Sequence, residues 1–129
     1  MNIVFLTPDD VLDLHADQIA VFGGSAGVRD LGLLQSAVAM PQTGFGGQLA
    51  HAFPHEMAAA YLFHIAANHP FVDGNKRTGL AAALVFLEIN DYTLAADKTA
   101  VGDMVLAVAA VTLDKQGAVD FFKAHVRPL

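Results

Sequence analysis

His69-Pro70-Phe71-Val72-Asp73-Gly74-Asn75-Lys76-Arg77 lies between two long apolar stretches that read as helices, and it decides how they are joined. Proline at position 70 cannot continue a helix and disfavours the helical region in the residue before it, so His69 belongs to a turn. Gly74 and Asn75 both tolerate positive φ and supply a bend. The next helix then starts at Asn75 or Lys76 and runs to Ile89, where Asn90-Asp91 ends it.

Working outward, the helix before the turn starts at Pro54 and places Met57, Tyr61, His64 and Ile65 on one face. Thr7-Pro8-Asp9-Asp10 combines an N-cap, a proline at the first helical position and first-turn carboxylates. Val11, Leu12, His15, Ile19 and Phe22 then recur at helical spacing until Gly23-Gly24. Asp30 caps a helix carrying Leu33, Leu34, Ala37 and Val38 that ends before Pro41. Gln42 to Ala52, with Gly44-Phe45-Gly46-Gly47 inside it, reads as a flexible loop. Two further helices are expected over Thr99–Leu113 and Gly117–His125, with Tyr92-Thr93-Leu94 as a short extended piece and nothing resembling a sheet. The expected fold class is all-α, a single domain over residues 1–129 with about six helices.

The chain is 54% hydrophobic, much of it alanine, which suits closely packed helices. Its longest apolar runs, Gly79–Leu87 and Met104–Val111, are far shorter than the ~20 residues that span a bilayer. Met1–Leu6 has neither the basic region nor the long apolar stretch of a signal peptide, so cytoplasm is the expected location and no membrane partner is expected. The absence of cysteine excludes disulfides and thiolate metal sites. A net charge of −6 argues against direct binding to nucleic acid.

The central turn concentrates the chemistry. The first N–H groups of a helix lack internal partners and carry the positive end of its dipole, so an anion binds there readily. Gly74 and Asn75 stand where such a nest forms. Lys76 and Arg77 add positive charge, and the planar arginine fork can take two phosphate oxygens at once. Asp73 opposes an anion unless it holds a Mg²⁺ that bridges phosphate oxygens, an ion that arrives with the nucleotide. His69 is a base for a hydroxyl attacking phosphorus. Taken singly, a turn histidine is usually structural, Asp-Gly-Asn is usually a helix cap, and a Lys-Arg pair is usually solvated surface. Their conjunction at one helix start favours a polyphosphate site. His15 and His64 lie on apolar faces and read as packed and hydrogen-bonded. A zinc site from His51, His55 and His64 is conceivable but lacks any HExxH-type spacing.

Read through Thr78, this segment resembles the signature of the Fic/Doc superfamily, and most closely the Doc (death-on-curing) branch with its H-x-F-x-D/E-A/G-N-K-R motif. Gly23-Gly24, Gly27, Arg29-Asp30, Gly32-Leu33-Leu34 and Phe86-Leu87-Glu88-Ile89-Asn90-Asp91 are similar to the flanking pattern, so the likeness covers essentially the whole chain. The resemblance implies a compact helical bundle and transfer from ATP with Mg²⁺ to a protein hydroxyl. His69 is then the base and Asp73 the Mg²⁺-binding or histidine-orienting carboxylate. Gly74, Asn75 and Lys76 cradle phosphates, Arg77 clamps them, and Phe71 anchors the turn. Phe45, Gly46 and Gly47 become a target-positioning flap, although that stretch also reads as a plain connector.

Fic enzymes that transfer AMP carry glycine where this chain has Lys76. The lysine implies transfer of the terminal phosphate, that is, a protein kinase, with adenylyl transfer and a catalytically inactive binding module as the alternatives. The branch implies a toxin of a toxin–antitoxin pair, an antitoxin of Phd type, and elongation factor Tu as target with arrest of translation. One departure is that Ala67 and Asn68 precede the histidine, where a phage member of the branch has an arginine two residues before it.

Overall fold

Side-chain caps start most of the helices. In the computed structural model, which describes residues 2–129, Thr7 opens α1 (Pro8–Phe22). The Thr7 hydroxyl accepts from the Asp10 N–H, and the Asp10 carboxylate accepts from the Thr7 N–H, closing a capping box. Asp30 accepts from the Leu33 N–H and starts α2 (Leu31–Ala39), after which one 3₁₀ turn, Met40–Gln42, carries the chain past Pro41. The helices flanking the central turn are α3 (His55–Asn68) and α4 (Asn75–Ile89). Asp97 caps α5 (Lys98–Ala109) and Asp114 caps α6 (Lys115–His125).

The core is built around α3, whose Met57, Ala58, Ala59, Ala60, Tyr61, Leu62, Ile65 and Ala66 are all buried. It packs on α2, α4, α5 and α6, most extensively on α4. Small residues make that possible: Ala58, Ala59, Ala82 and Ala83 are fully covered, and a Cβ at Gly79 would come within 3.0 Å of the Leu62 carbonyl oxygen. The alanine excess therefore goes into close helix contact, as expected. Phe86, Phe71 and Phe122 fill the remaining volume, each contributing about 2–3 kcal/mol by burial. The Tyr61 hydroxyl, inside this core, accepts from the Leu6 N–H at 2.9 Å, and burial pushes its phenol up to about 12.

Four expectations need correction. The helix expected over Thr99–Leu113 stops at Ala109, because Ala110 leaves helical ψ and Val111 takes φ +60°. The Ala107 carbonyl then accepts from the Thr112 and Leu113 N–H groups, turning Leu113 back onto the core. The last helix starts two residues before Gly117, since Asp114 is its cap. Extended pieces also pair rather than standing alone. The 42–52 loop contains an antiparallel ribbon, β1 (Gly44–Phe45) with β2 (Gln48–Leu49), turned by Gly46 and Gly47 at φ +61° and +82°. The second ribbon pairs β3 (Tyr92–Leu94) with β4 (Val126–Pro128) in the register Thr93↔Arg127 and ties the C-terminal segment to the end of α4. Finally, the His64 Nε2 is buried without a partner instead of hydrogen-bonded, and burial pushes that ring down to about 4.

Candidate active site

His69 ends α3 in the left-handed conformation, φ +48° and ψ +54°. For a residue with a Cβ this costs roughly 1–2 kcal/mol, so the surroundings must impose it. They do so through the backbone that follows. The Pro70 carbonyl accepts from the N–H groups of Arg29 at 2.7 Å and Asp30 at 3.0 Å, and the Val72 N–H donates to the Gly27 carbonyl at 3.1 Å. Phe71 is 1% exposed and anchors the turn as expected. Its ring stacks on His15 with centroids 3.8 Å apart and planes 3° apart. His15 is packed and hydrogen-bonded, its Nε2 lying 2.8 Å from the Asp73 carbonyl oxygen, which requires the proton on that nitrogen.

Asn75 closes the turn from inside. Its side-chain oxygen accepts from the Phe71 N–H at 2.9 Å, and its amide donates to the Phe71 carbonyl at 3.0 Å. The side chain is therefore committed to holding the turn, which leaves its backbone N–H for a ligand.

The start of α4 is anomalous on electrostatic grounds. Gly74 is its N-cap at φ +78° and offers no side-chain acceptor, as Pro54 offers none to α3, whereas α1, α2, α5 and α6 are each capped by a side-chain oxygen. Its first turn has no acidic residue and instead carries Lys76 and Arg77. Cations beside the positive end of a helix dipole are unfavourable by about 0.3–1 kcal/mol each. A bound polyanion reverses that sign.

Asp73 is exposed, and its carboxylate accepts from the Ser25 N–H at 3.1 Å and the Gly74 N–H at 2.8 Å. Those two amides, Ser25's first, hold the carboxyl below the usual range, with a smaller contribution from Arg77. Gly24, at φ +110°, makes room for it, since a Cβ there would stand 2.6 Å from Asp73 Oδ2.

His69, Asp73, Gly74, Asn75 and Lys76 line one cleft of about 310 Å³, with Val72 at its wall. His69 and Lys76 are exposed and free to meet a ligand. Arg77 does not line this cleft: its guanidinium lies 5.5 Å over the Phe22 ring and donates to the Gly23 carbonyl at 3.2 Å. Phe45, Gly46 and Gly47 form the tip of the β1–β2 ribbon, outside the cleft, with Phe45 94% exposed. The conceivable zinc site does not assemble. His51 Nε2 lies 2.8 Å from Lys115 Nζ, and no three His, Asp or Glu side chains are grouped to hold a metal among the described residues.

Sequence reading assigned no role to the segment between α1 and α2, from which Gly24, Ser25, Gly27 and Arg29 all reach the turn. Gly23-Gly24, Gly27 and Arg29-Asp30 read as a helix stop and as part of the family's flanking pattern, without a contact to the turn being assigned to them.

Two known proteins are similar to this chain in sequence. The Toxin Doc of Mycolicibacterium smegmatis is 52% identical over 93 residues, covering 72% of this chain and 69% of that protein. The Protein kinase doc of Escherichia phage P1 is 28% identical over 116 residues, covering 89% of this chain and 90% of the phage protein. Residues 5–87 match the Fic/DOC family, a span that includes His69, Asp73, Gly74, Asn75, Lys76 and the segment between α1 and α2, and the chain belongs to that family, in its Doc branch.

Proposed function

We propose that this protein is the toxin of a toxin–antitoxin pair and acts as a protein kinase, moving the terminal phosphate of ATP onto a hydroxyl of a translation factor, elongation factor Tu. The observation that carries the reading is the start of α4: an uncapped helix N-terminus bearing two cations and a left-handed glycine, facing an exposed histidine across a shared cleft. The names Toxin Doc and Protein kinase doc, borne by its relatives, support the same direction.

In this reading the unpaired amides at the start of α4 and the Lys76 ammonium hold the phosphate chain. Arg77 turns from the Gly23 carbonyl to clamp it. His69 takes the proton of the acceptor hydroxyl as that oxygen attacks the γ-phosphorus, the bond from that phosphorus to the β–γ bridging oxygen breaks, and ADP leaves. Asp73 suits Mg²⁺: it is exposed and ionised, and after two amide bonds its oxygens keep lone pairs for a cation that binds through one or two carboxylates plus phosphates. When bound, the ion neutralises charge on the phosphates.

Lys76 lines the cleft and fills space that a glycine there would leave to a phosphate, which favours transfer of the terminal phosphate over AMP. The exposed Phe45 tip positions the target segment. An antitoxin of Phd type restrains the protein in the cytoplasm, and neither membrane nor nucleic acid takes part directly. No helix of the described residues is long and apolar enough to cross a membrane.

The test is mass spectrometry of elongation factor Tu after incubation with the protein, ATP and Mg²⁺. A phosphate-sized adduct that disappears with His69→Ala is expected. A nucleotide-sized adduct overturns the kinase assignment, and growth arrest that persists in His69→Ala cells overturns catalysis altogether.

A further inference from the structure

We infer that Arg29 is the positioning residue that sets the base, His69, in its working orientation; this rests on the phosphotransfer reading above. The last carbonyls of a helix have no internal partners and carry the negative end of its dipole. At the end of α3 the Asn68 carbonyl is one of these, the carbonyls of the His69 cap and of Pro70 follow it, and α3 has no basic residue in its last turn. Arg29 meets all three. Its Nε–H donates to the His69 carbonyl at 2.6 Å, its Nη2–H to the Asn68 carbonyl at 2.9 Å, and its backbone N–H to the Pro70 carbonyl at 2.7 Å.

The consequence is geometric. The guanidinium is planar, so two parallel donors fix two successive carbonyl directions at once. Fixing the Asn68 and His69 carbonyls, one on each side of the His69 Cα, leaves the His69 backbone little freedom to relax from φ +48° toward the ordinary helical region. That backbone aims the imidazole into the cleft with Asp73, Gly74 and Lys76. Asn68 is tied separately, its amide donating to the Leu33 carbonyl at 3.2 Å, so the end of α3 is braced against α2 as well. No residue near His69 in sequence offers a substitute, since Ala66 and Ala67 precede Asn68.

The experiment compares wild type, Arg29→Ala and Arg29→Lys in phosphotransfer from γ-labelled ATP with Mg²⁺ to purified elongation factor Tu, alongside the His69 ¹³Cα and ¹³Cβ shifts. A misplacement of about 1 Å costs on the order of 100-fold in rate, so Arg29→Ala is expected to lose about 100-fold in kcat with the KM for ATP within about threefold. The His69 shifts should leave left-handed values, and free guanidinium should restore part of the rate. Arg29→Lys, which keeps the charge but reaches one carbonyl at a time, should fall between; it decides the matter if Arg29→Ala does not fold. Wild-type kcat in either variant, or unchanged His69 shifts, overturns the inference. If wild type itself transfers no phosphate, the functional reading fails, and the shifts alone then decide the role of Arg29.

Discussion

Asn75→Ala separates a structural clasp from a phosphate ligand. The wild-type side chain makes two buried hydrogen bonds to one residue, accepting from the Phe71 N–H at 2.9 Å and donating to the Phe71 carbonyl at 3.0 Å. Alanine removes both and leaves the Phe71 N–H buried without an acceptor, beside a side chain that is 1% exposed. A buried unpaired donor costs about 2 kcal/mol and the second lost bond about 1 kcal/mol. Alanine's better helix propensity at the first position of α4 returns about 0.5 kcal/mol. The expected loss is about 2.5 kcal/mol, or about 10 °C in Tm at roughly 4 °C per kcal/mol for a domain of this size. Urea unfolding followed by circular dichroism should show a lower midpoint with an unchanged slope. Phosphotransfer should fall mainly in kcat, because the turn that carries His69 relaxes. If Asn75→Ala unfolds within about 0.5 kcal/mol of wild type and raises the KM for ATP instead, the side chain faces phosphate and the clasp argument is wrong.

Three further outcomes are expected. Gly24→Ala places a methyl 2.6 Å from Asp73 Oδ2 at φ +110°, so it should cost about 1–2 kcal/mol and lower kcat on the order of 100-fold; kcat equal to wild type would show that Asp73 is not positioned by this contact. His64, pushed by burial from 6.5 to about 4, binds its proton more readily when unfolded. Its contribution is therefore complete above pH 6.5 and is lost as pH falls toward 4, by about 1 kcal/mol after solvent screening of this partly open site. His64→Phe should flatten that part of a stability–pH curve, and an unchanged slope would remove His64 as its source. Phe45→Ser at the 94% exposed ribbon tip should raise the KM for the protein acceptor about tenfold and leave the KM for ATP alone; equal effects on both would argue against target positioning.

Helices were readable because their determinants are local. Thr7 and Asp30 cap within three residues, and the apolar period places Met57, Tyr61 and Ile65 on one buried face. Boundaries failed where a tertiary contact decides them, as at Ala109, where the chain turns to bring Leu113 onto the core. The β3–β4 pairing was missed for a related reason, since its partners lie more than thirty residues apart, whereas β1 and β2 are close in sequence but only two residues long, too short to carry a strand period.

The residue types of the site, their order and the helix start that gathers them were set by the chain alone, since N-terminal amides and a left-handed glycine are properties of adjacent residues. Which side chain does what depended on folding. Arg29 reaches the His69 carbonyl across 40 positions, Ser25 reaches Asp73 across 48, and His15 reaches the Asp73 carbonyl across 58. The Asn75 clasp on Phe71 spans only four residues, but Arg77 is drawn aside to Gly23 across 54. No local rule encodes these long-range bonds, because each has a partner that becomes a neighbour only when α1, α3 and α4 pack.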